Sequence, residues 1–289
     1  MNLAIFLKCS SLAVGQLLSF TVLLATACHA DEAAKITEGD KKLPLAGESF
    51  KLNGRDAFII LPKKVTANTP WVWYAPTLRG LPSKAEVWMF ERFLAKGIAI
   101  AGIDVGESYG SPDGRKLFSD LHQYLVTQRK FSKQPCLLAR SRGGLMLYNW
   151  AVENPTKVGG IAALYPVCNL ESYPGLKKAA GAYKMTAEEL KATLSEHNPI
   201  ERIKPLAEAG VPVLHFQGDS DKIVPHEKNT AILAERYKKS GGSMEVVLVK
   251  GQGHNMWKGW FQSENLTAFA IKCALGAPDK SLKKLKLQK

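Results

Sequence analysis

Apolar runs of strand length alternate with segments of helix length through most of the chain. Runs at Trp71–Ala75, 98–103, 136–139, 158–167, 211–217 and 245–249 are rich in valine, isoleucine, leucine and alanine, with few charges. Helical segments at 83–97, 112–129, 143–154, 225–239 and 263–275 separate or follow them. Strands joined through helices line up as parallel neighbours, and the helices then cover both faces of the sheet. The alternation predicts an α/β fold with a mostly parallel central sheet. Ahead of it, 49–52 and 56–61 flank Asn53-Gly54, a pair suited to the positive φ angles of a two-residue turn, so an antiparallel hairpin leads the sheet. Residues 31–45 read as a polar lead-in. Ser83-Lys84-Ala85-Glu86 and Thr186-Ala187-Glu188-Glu189 carry the spacing of capping boxes. The second of these lies in 169–204, which contains Pro174-Gly175 and reads as a small helical lid inserted between two late strands.

Residues 1–30 stand outside this pattern. Lys8 is their only charged side chain, an apolar run follows it, and Ala25-Thr26-Ala27 precedes Asp31-Glu32. A basic start, an apolar middle and a small-residue site are the marks of a secretory signal peptide. The expectation is export to a periplasmic or extracellular location, with cleavage after Ala27 or Ala30. An uncleaved membrane anchor is the alternative. Leu24-Ala25-Thr26-Ala27-Cys28 also resembles a lipobox, which would place a lipid on Cys28. The mature domain then covers 31–279. Residues 280–289 form a basic tail with Lys280, Lys283, Lys284, Lys286 and Lys289. That tail accounts for part of the formal net charge of +13. No RNA-binding signature or zinc-finger spacing accompanies the charge, so nucleic acid is not an expected partner. Membrane contact is expected only through a lipid anchor or the tail. Five cysteines are too few and scattered for a disulfide scaffold, and Cys136 reads as a buried strand residue.

Three strand ends carry chemistry. In Leu137-Leu138-Ala139-Arg140-Ser141-Arg142-Gly143-Gly144 a strand runs into a serine and a helix begins at once. So sharp a turn needs small residues two before and two after the serine, which Ala139 and Gly143 supply. It also leaves the Arg142 N–H at a helix start, where it can donate to an oxyanion. A helix N-cap serine is the plainer reading of the same residues. In Gly218-Asp219-Ser220-Asp221-Lys222-Ile223-Val224-Pro225 a strand ends in two carboxylates. In Gly251-Gln252-Gly253-His254 a strand ends in a glycine-rich loop with one histidine.

A serine, an aspartate and a histidine in that order, each at the carboxyl end of a predicted strand, resemble the α/β-hydrolase superfamily. The resemblance spans roughly 50–275 and its esterase, prolyl-oligopeptidase-like and dienelactone-hydrolase-like branches. It implies a nucleophile at Ser141, a base at His254 and an acid at Asp221, with Asp219 the other choice for the acid. It implies an acyl-enzyme route. The six histidines form no H-x-x-x-H or H-E-x-x-H pair, so no metal is expected, and no G-x-G-x-x-G opens a helix after a strand, so no cofactor is expected. The second oxyanion donor would be the Leu78 N–H, or else that of Thr77, because Pro76-Thr77-Leu78-Arg79 replaces the His-Gly often found there. The Ser141-Arg142 pair is similar to that of glucuronoyl and other carbohydrate esterases, so Arg142 either binds an anionic or strongly hydrogen-bonding substrate, or steadies the oxyanion, or points to solvent, Asp104 or Glu107. Arg79, Tyr109, Tyr173 and Trp257 are further substrate-contact candidates. Tyr165 and Trp260 lie near the same loops, with core packing as their plainer role. The implied activity is hydrolysis of a small-molecule or carbohydrate ester. A prolyl-oligopeptidase-like peptidase and a non-catalytic binding protein on the same scaffold are the alternatives.

Overall fold

The computed structural model describes residues 34–276. The signal peptide, the lipidation reading at Cys28 and the basic tail lie outside the described residues. Strands β1 (Ile36–Glu38), β2 (Glu48–Leu52), β3 (Arg55–Ile60), β4 (Trp71–Ala75), β5 (Ala99–Ile103), β6 (Cys136–Arg140), β7 (Gly160–Leu164), β8 (Val213–Gly218) and β9 (Met244–Val249) form one sheet. Their order is β1-β2-β3-β5-β4-β6-β7-β8-β9. The first three strands run antiparallel to their neighbours and the other six are mutually parallel. This is the mostly parallel α/β sheet, led by an antiparallel hairpin, expected from the alternation.

The centre of the sheet shows why these residues become strands. All five residues of β4 are buried. Trp71, Trp73 and Ala75 face one core with Phe118, Leu121 and Trp150. Val72 and Tyr74 face the other with Phe90, Phe93 and Leu266. A period of two with apolar residues on both sides describes a strand covered on both faces. Helices α1 (Val87–Ala95) and α10 (Glu264–Leu275) contribute to the second core. Helices α2 (Pro112–Thr127), α3 (Gly143–Glu153) and α9 (Thr230–Lys239) contribute to the first. The leading hairpin turns at Asn53 and Gly54, with φ of 50° and 78°.

Two local expectations shift. Part of the polar lead-in is strand: β1 pairs with β2 although all three of its residues are exposed. Its signal is backbone pairing, which composition does not carry. The helix expected from Pro225 begins as a 3-10 turn at His226–Lys228, breaks at Asn229 and resumes as α9. The insertion consists of α4 (Leu176–Tyr183), α5 (Ala187–Ala192), α6 (Leu194–His197), α7 (Pro199–Arg202) and α8 (Lys204–Glu208). Its residues Ala179, Ala180, Tyr183 and Leu190 close a third apolar cluster with Tyr109, Leu145 and Val224. Cys136, Cys168 and Cys273 are buried free thiols. Among the described residues no helix is long and apolar enough to cross a membrane.

Candidate active site

The turn between β6 and α3 is tight enough to force Ser141 into the left-handed region, at φ 52°. That conformation costs a non-glycine residue on the order of 1 kcal/mol and persists only where neighbours over-determine it. Here they do. The Ser141 N–H donates to Leu164 O at 3.0 Å, and its carbonyl accepts from Val167 N at 2.8 Å and Gly144 N at 2.9 Å. A Cβ on Gly143 would collide with the Ala75 carbonyl, so only glycine lets α3 start this close to β4. Arg142 is the N-cap of α3. Its N–H is among those a helix start leaves without an intrahelical acceptor.

The other two strand ends meet this turn. Ser141 Oγ lies 2.8 Å from His254 Nε2, and His254 Nδ1 lies 2.8 Å from Asp221 Oδ2. Asp221 Oδ1 accepts the N–H groups of Ile223 at 3.0 Å and Val224 at 2.8 Å. Burial alone would raise the Asp221 carboxyl, but His254 and those N–H groups hold it below its ordinary value. Asp219 does not reach the histidine. It is exposed, and its Oδ1 accepts from Gly251 N at 2.7 Å and from Ser220 Oγ at 2.8 Å, which braces the two loops together.

Two supports flank the set. The Tyr165 ring lies 4.4 Å from the His254 ring and is backed by Trp260 at 5.4 Å. Trp260 is fully buried, so its role is support from behind. Glu86, the capping-box residue before α1, is buried and doubly used. Its Oε2 accepts from Ser83 N and Oγ, both at 2.8 Å, while Oε1 accepts from Arg140 Nη1 at 2.6 Å and Tyr74 OH at 2.9 Å. Arg140 immediately precedes Ser141, so this pair pins the end of β6.

The remaining candidates form a rim. The Arg142 guanidinium pairs with Glu107, so its charge is answered within the chain. Tyr109 is buried beside Glu107, and its carbonyl accepts from Tyr183 OH of the insertion at 2.8 Å. Tyr173 packs against the same cluster. Trp257 is exposed and meets Trp260 edge-on at 5.5 Å. Leu78 and exposed Arg79 follow β4, and the carbonyls of Thr77 and Leu78 accept from Lys41 Nζ at 3.5 and 3.0 Å. A hollow of about 540 Å³ lined by Lys130, Phe131 and Lys133 lies instead near the amino ends of β4 and β6. Among the described residues no three His, Cys, Asp or Glu gather as a metal site.

The profile of the prolyl oligopeptidase family matches residues 117–273, more than half of the chain. The chain belongs to the prolyl oligopeptidase family. Solved structures agree on the fold. An S-formylglutathione hydrolase from Agrobacterium tumefaciens superposes with TM-score 0.61 at 16% identity, over 83% of this chain and 98% of that one. The carboxylesterase Cest-2923 from Lactobacillus plantarum gives TM-score 0.58 at 15% identity, over 78% and 94%. Dipeptidyl peptidase 4 of Porphyromonas gingivalis gives 0.61 at 14% identity, over 84% of this chain but 35% of that one. A search of curated protein sequences gave no match. Family membership makes the chain a serine hydrolase, and the neighbours show its α/β-hydrolase fold. In this member of the family, Lys41, Glu86 and Gln217 also touch the site's framework. Only Glu86 had a sequence signal, its capping-box spacing.

Proposed function

We propose that this chain is an exported carboxylic-ester hydrolase in which Ser141 is the nucleophile, His254 the general base and Asp221 the orienting acid. The observation that carries the reading is the pair of 2.8 Å contacts from Ser141 Oγ to His254 Nε2 and from His254 Nδ1 to Asp221 Oδ2. With Nδ1–H donating to the carboxylate, Nε2 is left to accept the serine proton. Ser141 Oγ attacks the acyl carbon, and the carbonyl oxygen takes up the negative charge. The Arg142 and Leu78 N–H groups receive that charge, a contribution on the order of 3 kcal/mol per donor. The tetrahedral adduct collapses, His254 returns its proton to the departing alcohol, and an acyl-enzyme remains. Water, deprotonated by the same imidazole, releases the acid and frees Ser141.

An alkoxide departs far more readily than the amide anion of a peptide, so an ester makes the smaller demand on proton delivery by His254 to the leaving group. The rim of Glu107, Tyr109 and Arg142 offers both donors and acceptors, which suits the hydroxyls of a carbohydrate alcohol. Family membership supports a second reading, a serine peptidase. A fluorophosphonate probe should label the wild type and neither Ser141→Ala nor His254→Ala. Equal labelling of Ser141→Ala would remove the assignment. Short p-nitrophenyl and acetyl-sugar esters run beside aminoacyl-nitroanilides separate the two activities, and faster turnover of the anilides would favour the peptidase. Asp221→Asn should lower kcat by about ten-thousand-fold, and Asp219→Asn far less.

A further inference from the structure

Polar contacts continue inward from Asp221. Gln217, near the end of β8, places Nε2 at 3.2 Å from Asp221 Oδ2 and 3.0 Å from the Val224 carbonyl. Its Oε1 lies 3.4 Å from Thr230 Oγ1 at the start of α9. Thr230 Oγ1 lies 3.1 Å from His215 Nδ1, and His215 Nε2 lies 2.6 Å from the hydroxyl of Tyr148 on α3. Tyr148, His215, Gln217 and Thr230 are all fully buried.

One assignment of protons satisfies every atom in this line. Gln217 Nε2 faces two acceptors, a carboxylate and a carbonyl, so it must be the amide nitrogen. Its Oε1 then needs a donor, and among the described residues the hydroxyl facing it is that of Thr230. Having given its single proton to Gln217, Thr230 Oγ1 accepts from His215, whose Nδ1 therefore carries hydrogen. His215 Nε2 is then bare and accepts from Tyr148 OH. The reverse direction would leave both the tyrosine proton and the glutamine oxygen without partners in a dry interior, at a cost no native core tolerates often.

We propose that Tyr148, His215, Thr230 and Gln217 form a one-way hydrogen-bond relay that fixes the carboxylate plane of Asp221 toward His254. Gln217 and Thr230 are thus positioning residues for hydrolysis, and His215 is held as the neutral Nδ1–H tautomer. The inference rests on the Ser141–His254–Asp221 reading for its functional half. Two donors on Oδ1 and two on Oδ2 leave the carboxylate no rotation about its last bond, and each donor in the line polarises the next. Burial supports the neutral form, pushing the His215 imidazole down to about 3. The groups around it are Tyr148, Thr230 and the imidazole of His226.

Thr230→Val removes the hydroxyl while keeping the shape. With active sites titrated by fluorophosphonate, kcat should fall about tenfold, the worth of one neutral hydrogen bond, while KM stays within about twofold. Thr230→Ser should restore kcat. A purely structural threonine would lower the melting temperature and leave kcat per titrated site unchanged, and that result overturns the functional half. Nitrogen NMR of 15N-histidine-labelled protein, with His215 assigned by its shift in Thr230→Val, reads the relay without any turnover. A protonated Nδ1 and bare Nε2 at neutral pH are expected, and a protonated Nε2 would overturn the relay even in an active enzyme. Failure of Ser141 to label leaves this spectroscopic half standing, so the two readings fail separately.

Discussion

Gly143 is the residue on which the strained serine depends. Its missing side chain lets α3 begin against the Ala75 carbonyl, and the backbone bonds on Ser141 close only if α3 stays there. Gly143→Ala must push α3 away from β4 or bend the turn. The expected cost is about 2–3 kcal/mol of stability, by the overpacking argument, with a larger loss of activity than stability explains. Thermal melting and probe labelling on the same preparation check both halves. Labelling at the wild-type rate would show that the turn tolerates a Cβ. Arg142 makes a contrasting case at the adjacent position. Its pair with Glu107 is partly exposed, so Arg142→Ala should leave the melting temperature nearly unchanged, since exposed pairs contribute little. Its expected effect is a raised KM for hydroxylated esters, with simple aryl esters unaffected.

At the scale of elements, the insertion is tied to the segment before α9 by three asparagines. Asn229 Oδ1 accepts the N–H groups of Cys168 at 3.0 Å and Asn169 at 3.2 Å, and its Nδ2 donates to Ser172 Oγ and Pro225 O. Asn198 Oδ1 accepts from Leu170 N, and its Nδ2 donates to Asn169 Oδ1, each at 3.0 Å. Asn229→Leu keeps the branching of the side chain and strands two buried N–H donors. It should destabilise the protein by about 2–4 kcal/mol, read as a lower urea midpoint with an unchanged slope. The same residue explains why the sequence misled about this segment. Helical patterning runs unbroken from Pro225, yet Asn229 leaves the helix at φ −128° because its amide serves the insertion. What was legible was local. The Asn53-Gly54 turn, the two capping boxes and the apolar run of β4 each act within a few residues. The strand-end motifs at Ser141, Asp221 and His254 could be read for the same reason, since each is a turn with its own steric demands. The relay behind Asp221 and the Lys41 contact to the loop after β4 were not legible. They join side chains from distant elements, and no spacing along the chain records them.

Across the whole molecule, buried neutral histidines set how the fold meets acid. Burial lowers the imidazoles of His122, His197 and His215 below their ordinary value, with the Arg115 and Arg202 guanidinia adding to the effect at His197. In the unfolded chain each takes up a proton near pH 6.5. Below that pH the unfolded state binds more protons than the folded one, so stability falls as pH falls. The contribution is full above about pH 6.5 and, for His215, is lost progressively until its folded value near 3 is reached. The loss from His215 alone approaches about 1.4 kcal/mol per pH unit inside that window. Carboxylates such as Asp221 add their own loss only lower, as the pH drops through the carboxylate range. The expected curve of unfolding free energy against pH therefore turns downward near neutrality, well before carboxylates begin to protonate. His215→Asn separates this linkage from packing, because the amide nitrogen can still donate toward Thr230 but cannot titrate. Its curve should lie below that of the wild type at pH 8 through the lost volume, yet run flatter between about pH 6 and 4. Parallel curves would mean that His215 charges in the folded state as readily as in the unfolded one, which a fully buried imidazole accepting from Tyr148 has no means to do.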